Sequence, residues 1–145
     1  MSKKLTFNLV VADAVAALGF YEKVFDGVRG EVFEFTGVKG NNEANVDVGG
    51  VSLRLIDENL AYECFPPKQG EVDSIWLQLV VDDVEATLEK AKEHGATVEQ
   101  EIDEFMGTRH AQITDPFNYV WTINQIMEEI SYQERFDIYK GMLEE

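Results

Sequence analysis

The sequence predicts an α+β fold built from two tandem βαβββ modules and a C-terminal helix. Three observations carry this reading. "LVVADAVAAL" begins at Leu9 and "LVVDDVEATL" at Leu79, seventy positions later. The same offset lays Val51-Ser52-Leu53-Arg54 on Trp121-Thr122-Ile123-Asn124, so one supersecondary unit occurs twice. Between the copies, "NLAYECFPPKQGEVD" has two prolines and a glycine that break any regular element.

Each copy opens with an alternating strand. Leu5, Phe7, Leu9 and Val11 share one face in the first copy, and Ile75, Leu77, Leu79 and Val81 do so in the second. Helices follow at once, with Asp13 and Asp83 as N-caps for the free amide hydrogens of the first turn. Ala14, Ala17, Leu18, Tyr21 and Phe25 recur at helical spacing, as do Val84, Leu88 and Ala91, and Gly27 and Gly95 stop the two helices. Three strands complete each copy, around residues 31–35, 45–48 and 51–56, then 97–101, 109–114 and 119–126. In the second copy Asp115-Pro116-Phe117-Asn118 is the turn before the last strand, with Asn118 tolerating a left-handed backbone. Past the repeat, Ser131 and Glu134 form a capping box, and Tyr132, Phe136, Tyr139 and Leu143 make an apolar stripe needing a partner, its own domain or a second copy. The expected organisation is one domain over residues 1–145, with modules at about 4–59 and 74–127, a linker at 60–73 and a terminal helix at 131–143.

Of 145 residues, 45% are hydrophobic, enough for a core, and 12 basic residues against 28 acidic ones leave a net charge of -16. So negative a surface repels phosphate backbones, so neither nucleic acid nor an anionic membrane surface is an expected partner. The acidity keeps the chain in solution or attracts a cationic ligand. No apolar run approaches a membrane span, and "MSKKLTF" leads into no apolar export segment, so a cytoplasmic location is expected. Cys64 is the only cysteine and sits in the linker, which rules out an internal disulfide and favours an inert thiol.

Together with the tandem repeat, "GFYEKVF" on the first helix and "GTRHAQITDPFNYVWTI" near the end resemble the vicinal oxygen chelate superfamily, which includes glyoxalase I, extradiol dioxygenases and the fosfomycin and bleomycin resistance proteins. The two motifs look most like its PhnB-like, glyoxalase-related branch, with Asn118 where a turn glycine is usual. The resemblance implies that helices cover one face of a curved mixed sheet whose other face forms a cleft. It also implies that metal ligands, when present, come from the first and last strands of each module. Those positions are Thr6, Ser52, Trp76 and Thr122 here. Neutral hydroxyls are poor ligands for zinc, nickel or iron, and an indole offers only an N–H donor, so no metal and no other cofactor is expected.

Strand alternation places Asn124 with Thr122, and the repeat adds Arg54 beside Ser52 and Asn8 and Gln78 beside Thr6 and Trp76. These eight residues are expected to line the cleft, with Trp76 as the main stacking surface. Phe33 or Phe35 joins them, because large aromatics on a bare face would be a liability. Arg54 suits either a ligand anion or an ion pair with Asp47 or Glu34. His94 fits a helix C-cap. Arg109 and His110 are adjacent on a strand, so one of them reaches the cleft; a similar "G.R" pattern in the related proteins directs attention to Arg109. No G-x-G-x-x-G, P-loop, H-E-x-x-H or G-x-S-x-G motif occurs. The expected function is metal-independent binding of a small molecule by a homodimer. The alternatives are a glyoxalase-like lyase, isomerase or transferase using a divalent metal at non-standard positions, such as His110 with Glu101 or Glu104, and an interaction module with a vestigial cleft.

Overall fold

The computed structural model describes residues 2–71 and 74–144; the last two positions of the expected linker lie outside the described residues. Two βαβββ modules follow one another. The first is β1 (Phe7–Val11), α1 (Ala14–Phe25), β2 (Val28–Phe33), β3 (Glu43–Val48) and β4 (Val51–Asp57). The second is β5 (Leu77–Val80), α2 (Val84–Glu93), β6 (Thr97–Phe105), β7 (Thr108–Thr114) and β8 (Val120–Ile126), and α3 (Tyr132–Leu143) follows. β2 starts three residues earlier than expected, and β6 runs four residues further.

Each module folds into its own four-stranded mixed sheet, ordered β1-β4-β3-β2 and β5-β8-β7-β6. The first strand of each lies parallel to the last and is an edge. Asp13 and Asp83 cap their helices as expected, accepting from the amides of Ala16 and Ala86 at 3.0 and 3.1 Å. The modules also share a second device. The first helical amide is held by a side chain from the end of the fourth strand, Asp57 for Ala14 at 2.7 Å and Gln125 for Val84 at 3.0 Å. Gly95 closes α2 with a positive φ of 96°, and His94 is its C-cap.

α1 ends differently from the sequence expectation. Asp26, not Gly27, takes the left-handed conformation, with φ 55°. Gly27 is needed for closeness instead, because a Cβ there would lie 2.7 Å from Val46 Cγ2 and 3.0 Å from the Tyr21 carbonyl oxygen.

The two sheets turn their apolar faces toward one shared core. α2 buries a single stripe, Val84, Leu88 and Ala91, whereas α1 is buried on several sides through Ala14, Ala17, Leu18, Phe20, Tyr21, Val24 and Phe25. The reason is that α1 meets both modules. Phe25 lies 4.5 Å, centroid to centroid, from Trp121 on the inner face of the second sheet, and Phe20 packs edge-on to Phe117. The helical layer therefore sits between the sheets, and the polar faces look outward on opposite sides.

A buried polar cluster locks this joint. Asp115 is 3% exposed and accepts hydrogen bonds from Tyr21 Oη on α1 at 2.5 Å, Trp121 Nε1 at 2.9 Å and the amides of Phe117 and Tyr119 at 2.8 and 3.0 Å. Tyr119 Oη reaches back to the Val10 carbonyl at 2.9 Å. Asn118 has φ 73°, as the turn reading requires.

Asp115→Ala would orphan all four donors, so a loss on the order of 3–5 kcal/mol is expected in urea unfolding. Burial first, then the Asp115 charge, pushes the Tyr21 phenol well above its ordinary value of 10.0. A folded value above the unfolded one means the contribution is complete below the unfolded value and lost as pH rises through the folded value. Unfolding midpoints should therefore fall above pH 10.0, and Tyr21→Phe should flatten that fall. An unchanged alkaline slope in the variant would refute this linkage.

Candidate functional site

The outer face of the second sheet follows from its register. On β8, Trp121 and Ile123 point into the core, leaving Thr122 and Asn124 outward. Thr122 pairs with Gln78 on β5 and Gln112 on β7, and Asn124 pairs with His110. The result is a floor of neutral amides and hydroxyls with one imidazole. Phe105 of β6 lies on the same face beside Thr108.

Two recesses open on this face. The larger, of about 710 Å³, has Gln78, Asn124 and His110 on its floor and Arg135 and Tyr139 of α3 as its roof. The smaller, of about 310 Å³, is lined by Trp76, Gln112, Thr114 and the linker residues Lys68–Glu71. The segment leading into α3 is held by the β6–β7 turn, where the Gly107 carbonyl accepts the amides of Met127 and Glu128 at 2.8 and 3.0 Å. Gly107 has φ 78°, and a Cβ there would lie 2.5 Å from the Glu128 carbonyl oxygen, so only glycine permits the approach. Tyr139 meets Phe105 with ring centroids 6.0 Å apart.

The expected site residues divide into three groups. Trp76, Gln78, Thr122 and Asn124 share the outer face of the second sheet. Thr6, Asn8, Ser52 and Arg54 lie on the first sheet and its approach, where Asn8 pairs with Arg54 in register. Because both sheets face one core, this group looks out on the other side of the molecule. Arg54 is ion-paired with Glu43 at 2.5 Å rather than with Asp47 or Glu34; Asp47 caps the turn at Gly50 instead.

Arg109 is a correction. It shares the inner parity of Ala111 and Ile113 and reaches Glu85 in the first turn of α2 at 2.5 Å and Glu104 at 3.5 Å. His110 is the member of the pair that faces the cleft. Alternation with Ala111 and Ile113 was the signal that settles this parity. Glu104 pairs in register with Arg109, so it does not share the face of His110. Gln112, Thr114 and the α3 residues were not named as site residues by sequence reasoning. The first two follow from the same alternation, whereas the position of α3 depends on the Gly107 contact and has no local signature.

The sequence profile of the glyoxalase/bleomycin resistance protein/dioxygenase superfamily matches residues 5–123, nearly the whole tandem repeat. The chain belongs to this superfamily. An uncharacterized protein of Mycobacterium bovis is 30% identical over 135 residues, covering 90% of this chain and 88% of the relative. Among solved structures, the fosfomycin resistance protein FosX of Listeria monocytogenes, complexed with Mn(II) and sulfate, superposes with TM-score 0.67 at 15% identity over 96% of this chain and 98% of its own. The PhnB protein of Bacillus cereus superposes with TM-score 0.64 at 12% identity, covering 85% of this chain and 99% of its own. Such identities show a shared fold.

The metal that some members of the superfamily use does not fit the residues present. Thr6, Ser52, Trp76 and Thr122 supply no thiolate, imidazole or carboxylate. Among the described residues, no group of three or more histidine, cysteine, aspartate or glutamate side chains could hold an ion.

Trp76 is 59% exposed and Trp121 3% exposed, which puts the first on the surface of the chain and the second in its core. Trp76→Ala should cost clearly less than Trp121→Ala, which should cost about 3–5 kcal/mol. Urea titration of both variants checks this, and equal losses would return Trp76 to the core.

Proposed function

We propose that the protein binds a small molecule without a metal, in a cleft completed between two copies of the chain. The observation that carries this reading is the outer face of the second sheet. It has a neutral hydrogen-bonding floor of Gln78, Gln112, Thr122 and Asn124, an exposed indole at one end and an aromatic roof at the other. Such a surface holds a ligand by stacking and hydrogen bonding, and it has hydroxyls and an indole where metal-using members of the family carry ligands.

Two features support the second copy. β1 and β5 are free edges, and the segments leading into them expose Leu5 (78%), Ile75 (75%) and Trp76 (59%). Open edges flanked by apolar side chains favour pairing with another chain. Joining β1 of one copy to β5 of the other sets Thr6, Asn8, Ser52 and Arg54 beside Trp76, Gln78, Thr122 and Asn124, which one chain alone keeps apart. A cytoplasmic setting is part of this reading, and the strong negative charge keeps nucleic acid out of it. His110 on the cleft floor favours a second reading, a glyoxalase-like lyase, isomerase or transferase with the imidazole moving a proton.

Sedimentation velocity at micromolar concentration should give a dimer, and a monomer would refute the shared cleft. Calorimetry of dialysed protein with manganese(II), nickel(II) or zinc(II) should show only weak, non-stoichiometric heats. One tight ion per chain would overturn the metal-independent reading.

A further inference from the structure

The larger recess carries charges that its neutral floor does not explain. The chain has four arginines, and three of them are ion-paired: Arg29 with Glu22, Arg54 with Glu43 and Arg109 with Glu85. Arg135 is the exception. Among the described residues its guanidinium pairs with no carboxylate and lies 6.0 Å from the ring centroid of Tyr132. It lines the recess together with Glu128, Glu129 and Glu134, and these carboxylates also form no ion pair among the described residues. Both signs of charge thus line one recess without being quenched against each other.

Resting on the small-molecule reading above, we propose that this recess selects a ligand with a zwitterionic head, an anionic and a cationic group a few bonds apart. Arg135 takes the anion, because a guanidinium presents paired donors to a carboxylate or phosphonate. The carboxylates of Glu128, Glu129 and Glu134 take the cation. A simple anion would meet three negative charges in the lining and a simple cation would leave Arg135 unused, so the combined head is favoured over either. The Phe105–Tyr139 pair offers an apolar wall for the body of the ligand, and Gln78 and Asn124 offer amide groups on the floor.

Three probes of one shape test this: phenylalanine, 3-phenylpropionate and 2-phenylethylamine, titrated calorimetrically into the intact protein at low salt. Phenylalanine should bind roughly tenfold or more tightly than either single-charge probe, the scale of one charge-assisted contact. Arg135→Gln should reduce it to the level of 2-phenylethylamine, and the combined Glu128→Gln, Glu129→Gln and Glu134→Gln variant to the level of 3-phenylpropionate. Arg29→Gln, remote from the recess, should change nothing. These substitutions are on exposed positions, so the variants should fold. Equal binding of all three probes, or a preference for one single-charge probe that survives Arg135→Gln, would overturn the proposal. Indole fluorescence of Trp76 separates the two failures. Quenching by planar neutral compounds without zwitterion preference leaves the cleft standing, whereas no quenching by any compound and no binding of any probe sinks both.

Discussion

The buried carboxylate of Asp115 is the contact on which the rest of the molecule depends. It follows β7, opens the turn into β8 and gathers Tyr21 from the other module, the Trp121 indole and two backbone amides on its two oxygens. A carboxylate that is 3% exposed is tolerable only because its lone pairs are filled, and burial still raises its pKa against those bonds. The same cluster forms the turn and fixes how the two modules meet.

From that joint the functional geometry follows. Tyr21 can reach Asp115 only if α1 lies between the sheets, and with α1 there both apolar faces turn inward. The polar faces are then left on opposite sides, each half of the site proposed above. What a single chain exposes as liabilities, free edges at β1 and β5 and the apolar side chains beside them, are the surfaces that the proposed second copy would cover. The α3 helix borders one end of the second sheet through Tyr139 and Phe105, and the segment leading to it rests on Gly107 letting the backbone at Glu128 approach.

Much of this was legible in the sequence. The repeat at an offset of seventy residues, the two aspartate caps and the left-handed Asn118 are local or periodic signals, and all three appear in the structure. Alternation on β8 likewise placed Thr122 and Asn124 correctly outward. Between Arg109 and His110 the sequence reading left the parity open and a family pattern drew attention to Arg109, although the buried Ala111 and Ile113 carry the signal that turns Arg109 inward. The division of the eight residues expected in the cleft between two faces was not legible. Parity assigns a side chain to one face of its own sheet, and nothing local says whether two sheets share a cleft or a core. The roofing of the cleft by α3 is long-range in the same way.

The central claim is that the halves of the site meet only between two copies. An isotope-filtered NOE spectrum of an equal mixture of labelled and unlabelled chains tests it without any ligand. The account predicts contacts from the Trp76 indole of one chain to Thr6 and its neighbours on β1 of the other. A dimer showing no such contacts, with its interface on other surfaces, would contradict it.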